Sequence, residues 1–242
     1  MRVIKPYFEI ETPIDGDHAT AILKHLEKCA RTCYKSEHKI TDNSSADFVR
    51  RMVRVKKHES TIEHSSATVR FICDRGVSHE LVRHRLAAFS QESTRYCNYC
   101  KEQFGDDLTF ILPLWYDDMF YSYEDRWMPL GSGPGLGNDF DPKLLARRNA
   151  WWRACSVAET EYRIMIENGA AAQEARDVLP NSLKTEVVMT CNMREWRHVF
   201  AMRTPSNVHP QMGQLMRPLL AVFKEHLEPL FGDIEWNELP KA

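Results

Sequence analysis

The sequence predicts one α+β domain. Short alternating segments of strand character are interspersed with longer stretches whose apolar residues recur at helical spacing. No internal repeat, low-complexity tract or clean linker divides the 242 residues, a length that suits one large domain or two small ones, each able to bury a full core. With 43% hydrophobic and 27% charged residues, the composition is that of a folded soluble protein and excludes wholesale disorder and collagen-like chains.

Residues 2–11 alternate enough to predict a strand, and residues 17–31 place Ala19, Ile22, Leu26 and Cys29 on one helical stripe. Ser44-Ser45-Ala46-Asp47 resembles a capping box, with Phe48, Met52 and Val55 carrying a second helix to about Lys57 and a loop opening at His58. Thr68–Cys73 alternates and is β-branched, which predicts a strand. Ser78 then caps a helix with Val82, Leu86 and Phe89 on one face. Residues 105–142 hold turn formers and aromatics, including the glycine-rich run 131–137, and read as an irregular insertion or lid; that run has no G-x-G-x-x-G register. From Pro142 a long helix places Trp151, Cys155, Ala158, Tyr162 and Met165 on a stripe that serves a core or a subunit interface, and it stops at Gly169. A short helix ends at Pro180, 186–191 predicts a strand, and two helices follow with Trp196/Phe200 and Leu215/Leu219/Phe223 as their apolar faces.

The 32 Lys plus Arg against 34 Asp plus Glu leave a net charge of −2, which argues against a strongly basic nucleic-acid binder. No stretch has the roughly 20 apolar residues of a membrane helix, and the first residues lack a signal-peptide apolar region, so a cytoplasmic protein without membrane partners is expected. Seven cysteines in such a chain suit reduced thiols. Cys29/Cys33 and Cys97/Cys100 do not repeat a knuckle spacing, so no metal site is expected of them.

His58-Glu59-Ser60-Thr61-Ile62-Glu63-His64 concentrates two His and two Glu, but its histidines lie six apart, whereas a zincin helix needs four. Arg83-His84-Arg85 is followed by seven residues and Ser93, then Arg95. Three arginines among Ser90, Gln91, Ser93 and Thr94 supply forked and neutral donors suited to phosphate and a planar polar ring, although a solvated charged face satisfies the same pattern. Ser93 admits two readings, an activated nucleophile or a positioning hydroxyl.

Taken with HESTIEH at 58–64, ARDVLP at 175–180 and NMREWRHVFAMR at 192–203, the RHR-x7-S motif resembles the flavin-dependent thymidylate synthases, the ThyX or Thy1 family. Four motifs stand in the family's order over about residues 45–100 and 170–220. The resemblance implies a mainly antiparallel sheet packed by several helices, a single domain spanning 1–242, and a homotetramer with sites at subunit interfaces. It implies reductive methylation of dUMP to dTMP, with methylenetetrahydrofolate as carbon donor, FAD as hydride carrier and NADPH as reductant. By similarity His58, Ser60, Arg83, His84, Arg85, Gln91, Asn192, Met193, Arg194 and His198 bind FAD. Glu80, Leu81, Val82, Arg83, Gln91, Glu92, Ser93, Thr94, Arg95, Arg176 and Arg203 hold dUMP, and Arg203 is the catalytic group that favours the ionised pyrimidine. Glu80 stands where the family often has Gln, Gln91 where several members have Glu, and His198 where others have Asn.

Two other classes remain open to the residues. One is a flavin or nucleotide protein with a different reaction. The other is an RNA-binding module using Arg50, Arg51, Arg54, Lys56 and Lys57, against which the net charge and the missing RNP or KH signature count.

Overall fold

Proline at position 6 cannot donate to a sheet ladder, and the N-terminal strand segment breaks there. In the computed structural model, which describes residues 1–101, 107–124, 126–130 and 141–236, it yields two strands in different sheets, β1 (Arg2–Ile4) and β2 (Tyr7–Ile10). The described chain forms two compact units, one from Met1–Tyr7, Ile72–Leu81 and Gln91–Val187, the other from Phe8–Phe71, Val82–Ser90 and the residues from Val188 on.

The second unit opens with α1 (Gly16–Thr32), whose buried stripe is Ala19, Leu23, Leu26 and Ala30. Glu27 and Arg31 are also buried on α1, paired at 2.6 Å, and the Ser44 hydroxyl donates to Glu27 at 2.8 Å. That hydroxyl is therefore not a helix cap, contrary to the capping-box expectation. The following α2 (Ser45–Arg50) passes into a π-helical turn at Arg51–Val55, and the helical path ends before Lys57, whose φ of 57° breaks it. A 3-10 turn at Glu59–His64 leads into β3 (Ser66–Asp74).

The expected helix over Val82, Leu86 and Phe89 does not form. Asp74 accepts the Val77 N–H at 2.9 Å, so α3 (Arg75–Leu81) starts three residues early, and it ends at Leu81. The chain then turns into β4 (Ala88–Gln91), leaving Leu86 78% exposed. Three apolar residues at helical spacing are a weak signal when a nonlocal strand pairing competes for the same segment. β8 (Lys184–Asn192) lies between β3 and β4 in the order β2-β3-β8-β4. Ser65 accepts from Met193 N–H and Thr68 bonds Thr190 at 2.9 Å, pairs that run in opposite senses and make β3 and β8 antiparallel. Helices α6 (Met193–Arg203), α7 (Pro210–His226) and α8 (Glu228–Phe231) complete this unit around Phe71, Trp196, Phe200, Phe223 and Phe231. The α+β class with a mainly antiparallel sheet and many helices is as expected.

In the first unit β1 pairs in parallel with β5 (Thr109–Ile111), Val3 opposite Phe110. β6 (Phe120–Tyr123) and β7 (Arg126–Pro129) pair as an antiparallel ribbon. The described part of the expected insertion is thus built structure, and Leu108, Phe110, Ile111 and Leu112 are among its most buried residues. The glycine-rich run 131–137 lies outside the described residues. Helix α4 (Pro142–Glu167), capped by Asp141, buries Cys155 and Tyr162 against Tyr99, Phe110, Tyr116 and Phe120, with Trp151 and Met165 packed at the edge. Its apolar stripe is therefore core. The short α5 (Ala172–Ala175) and a 3-10 turn at Arg176–Val178 precede Pro180.

Candidate functional site

Helix α6 arranges one cluster of the second unit. Asn192 caps the helix, its Oδ1 accepting the Glu195 N–H at 2.9 Å. Helical spacing then buries Met193, Trp196, Val199 and Phe200 on one side and places Asn192, Glu195 and His198 three residues apart on the other. Arg203 closes the helix, and its Nε donates to His84 Nε2 at 3.0 Å. Because Nε2 accepts, the His84 ring carries its proton on Nδ1, which faces Glu195 Oε1 at 3.6 Å. The His198 ring stands edge-on to His84 with centroids 6.0 Å apart. Arg83, Arg85, Met202 and these groups line a cavity of about 290 Å3. Asn192, Arg194, Arg197, His198, Glu59 and Glu63 line a larger one of about 530 Å3.

Burial, then the Arg203 charge, then His198 hold His84 down to about 4, so the ring is neutral near pH 7. The nearby cation is Arg203, not the flanking Arg83 or Arg85. An unfolded histidine binds a proton below about pH 6.5, whereas folded His84 does so only below about 4, so folding stability falls as pH drops through this window. The expected loss, discounted for the ring's edge on the cavity, is on the order of 1–3 kcal/mol. Urea titrations from pH 7 to 4 should show a shallower loss for His84→Gln than for wild type. Parallel losses in the two proteins would refute it.

His84, Glu195 and His198 offer ligand atoms within 4.8 Å of one another. A cation there would meet the Arg203 guanidinium already bonded to the His84 ring, which opposes it. His58 and Ser60 are exposed at the start of the Glu59–His64 turn. Arg194 pairs with Glu63 at 2.5 Å and lies 3.9 Å from Glu59. Met193 is fully buried, so only its backbone can meet a ligand. Arg50 and Arg54 both pair with Glu228 at 2.8 Å, which takes two cations out of the basic surface weighed for RNA.

The end of α6 is held from outside. Buried Arg217 donates through Nε to the Thr204 carbonyl and through Nη2 to the Pro205 carbonyl, each at 2.8 Å. Gly213 leaves space for it, since a Cβ there would stand 2.5 Å from Arg217 Nη1.

A second cluster belongs to the first unit. Gln91 donates to Ser78 at 3.0 Å and to Thr185 at 3.2 Å. Glu92 accepts from Tyr99 at 2.8 Å and Lys184 at 3.1 Å; burial, then this carboxylate, push the Tyr99 phenol far above its usual range. The Ser93 carbonyl accepts from the Tyr96 and Cys97 amides, and its hydroxyl accepts from the Arg95 amide at 3.3 Å. Thr94 is buried and accepts from Arg176 Nη1 at 3.4 Å. Arg95 is exposed and lies over the Tyr96 ring. Leu81 is fully buried, so like Met193 it can offer only backbone, while Val82 is 37% exposed and Glu80 half-buried.

Sequence reasoning did not single out Glu195, Tyr99 or Lys184, and it weighed Glu59 and Glu63 only as metal ligands. For Glu195 a signal existed in the three-residue steps from Asn192 to His198 along a helix with the opposite face apolar.

The family model described as "Thymidylate synthase complementing protein" matches residues 17–227. A flavin-dependent thymidylate synthase of Mycolicibacterium gilvum is 30% identical over 96% of this chain and 86% of its own length. Among solved structures, the UMP/dUMP methylase PolB of Streptomyces cacaoi, bound with 5-Br dUMP, is 22% identical with a TM-score of 0.71, covering 96% of each chain. ThyX of Helicobacter pylori, with FAD and dUMP, is 18% identical with a TM-score of 0.63 over 95% of this chain and 98% of that one.

Proposed function

The chain belongs to the Thy1 family of flavin-dependent thymidylate synthases, and from that premise we propose that it converts dUMP to dTMP with methylenetetrahydrofolate, NADPH and FAD. The observation that carries this reading is the Arg203 to His84 hydrogen bond, which joins the NMREWRHVFAMR and RHR motifs in one constellation.

The donor set fits a flavin nucleotide. Arg83, Arg85 and Arg194 suit its diphosphate, and His58, Ser60, Asn192 and His198 suit its sugar and ring edges. When bound, FAD supplies the hydride that completes the methyl group. The protein's own task is to let uracil C5 act as a nucleophile, which requires negative charge on the pyrimidine. Arg203 stabilises that charge at N3, and neutral His84, by accepting from Nε, sets the plane of the guanidinium without adding a competing cation. Arg176, Arg95 and the amides around Ser93 take the nucleotide phosphate, with Glu80, Leu81, Val82, Gln91, Glu92 and Thr94 forming the surrounding wall.

The reading includes a single functional domain over 1–242, a cytoplasmic location and a homotetramer. Among the described residues no helix is long and apolar enough to cross a membrane. Since the Trp151–Met165 stripe is core, the interface falls to other surface such as Val157 and Ile164, exposed at 58% and 45% and two turns apart on α4.

The deciding experiment is conversion by purified protein. It should carry the isoalloxazine absorption and form dTMP only when both methylenetetrahydrofolate and NADPH are present. Absence of dTMP, or conversion without the folate, overturns the assignment. Ser93→Ala should keep turnover within roughly 10-fold, the effect of one lost hydrogen bond, because its hydroxyl is bonded to an amide and not to a base. A covalent dUMP adduct trapped on Ser93, with an inactive alanine variant, would establish the nucleophile instead.

A further inference from the structure

Gln91 ends β4, and Thr185 is the second residue of the neighbouring β8. The Glu92 N–H donates to the Glu186 carbonyl at 2.9 Å and ties the two segments together. Alternation along β8 turns Thr185 to the buried face, where it is fully enclosed, while Lys184 and Glu186 are only half-buried. Ser78 on α3 is equally enclosed, and the Gln91 amide nitrogen stands 3.0 Å from its hydroxyl and 3.2 Å from that of Thr185.

These contacts decide which way the amide points. A hydroxyl has one proton, and Ser78 gives its own to the Arg75 carbonyl at 2.9 Å. Toward Gln91, Ser78 can therefore only accept, so the group facing it is the NH2 and not the carbonyl oxygen. The second hydrogen of that NH2 goes to Thr185. Both amide donors are thus held by buried acceptors, and Oε1 is left on the opposite branch of the planar group with no donor among the described residues. Turning the amide over would set its oxygen against the Ser78 lone pairs. A glutamate at 91 could donate to neither hydroxyl.

We propose that Ser78 and Thr185 are positioning residues that lock the Gln91 amide in one orientation, so that position 91 offers the nucleotide an acceptor and not a donor. This rests on the thymidylate synthase reading and adds to it two residues outside the four motifs. The partner of Oε1 is then a donor of the nucleotide, a sugar hydroxyl or the uracil N3–H. An acceptor on N3–H favours the protonated ring and opposes Arg203, whereas one on a sugar hydroxyl acts on binding alone.

The test is titration calorimetry and turnover of the FAD-loaded protein, on wild type, Ser78→Ala, Thr185→Val and Thr185→Ser. Valine keeps the shape of Thr185 without its hydroxyl, and serine keeps the hydroxyl. Ser78→Ala and Thr185→Val should each weaken dUMP about 3-fold to 10-fold, the effect of one hydrogen bond, with Thr185→Ser within about 2-fold of wild type. Two analogues locate the donor: 2′,3′-dideoxyuridine 5′-monophosphate lacks the 3′-hydroxyl, and dCMP has an acceptor at N3. The analogue missing the true donor should bind wild type more weakly than dUMP does, and should bind Thr185→Val as it binds wild type. Turnover at saturating dUMP should hold in Thr185→Val if the donor is the hydroxyl and rise if it is N3–H. Equal weakening of dUMP and both analogues overturns the proposal and marks a structural role. Loss of flavin with unchanged dUMP affinity also overturns it, since the donor then belongs to the cofactor. Wild type that converts dUMP while Ser78→Ala and Thr185→Val bind it normally refutes the lock alone, whereas wild type that neither binds nor converts dUMP refutes both readings.

Discussion

Arg203→Ala should remain folded and flavin-bound while its turnover number falls on the order of 100-fold to 1000-fold, the loss seen when one preorganised donor to developing charge is removed. The fold should survive because Arg203 is only half-buried at the last position of α6, whereas the packing of that helix rests on Met193, Trp196, Val199 and Phe200. The variant leaves His84 Nε2 without this donor, a buried acceptor costing about 1–3 kcal/mol. It also removes one of the influences that hold His84 down, so the ring should protonate at higher pH than in wild type. An NMR titration of that ring reports the second effect independently of activity. Near wild-type dTMP formation by Arg203→Ala would remove the residue from the mechanism.

The largest stability effect is expected from Trp196→Ala. The indole is fully buried, stacks on Phe200 with centroids 5.5 Å apart, lies 5.4 Å from Phe223 and 6.5 Å from Phe71, and donates from Nε1 to the Ala67 carbonyl at 3.1 Å. Truncation opens a large void at the junction of β3, α6 and α7 and orphans that carbonyl, with an expected cost on the order of 3–5 kcal/mol. Since domains are stable by only about 5–15 kcal/mol, chemical denaturation should show a much lower midpoint. Trp196→Phe keeps most of the ring volume and should lie between wild type and alanine. A midpoint for Trp196→Ala equal to wild type would show that these aromatics do not form one cooperative core.

These two residues also mark how far the sequence could be read. Trp196/Phe200 and Leu215/Leu219/Phe223 repeat over whole helices, and such periodicity survives folding because burial of the stripe is what selects the helix. Val82, Leu86 and Phe89 offered the same spacing over a single short run, and pairing of β4 in a sheet prevailed. The run Leu108–Leu112 was lost among turn formers because a four-to-five-residue apolar segment has no period of its own, yet it lies at the centre of a core. In the candidate site Arg83–Arg85, Asn192 and Arg203 were legible through the resemblance of their motifs to the family. They could not supply the pairing of Arg203 with His84 across 119 positions, nor Glu195 behind the ring, because those contacts exist only after the chain has closed on itself.

The clasp of Arg217 on the Thr204 and Pro205 carbonyls bears on timescale. The last turn of a helix is ordinarily where amides exchange fastest, by local fraying that needs no global event. Here the strand of chain leaving α6 is tied to a buried side chain of α7, and the Thr204 and Val208 amides are themselves bonded to Phe200 and Pro205 carbonyls. Deuterium uptake at those two amides should therefore track opening of the whole helical pair rather than the helix end. Arg203 then sits next to a segment tied to α7 from outside its own helix, and Gly213, a residue that weakens its own helix by about 1 kcal/mol, is what makes room for the anchor.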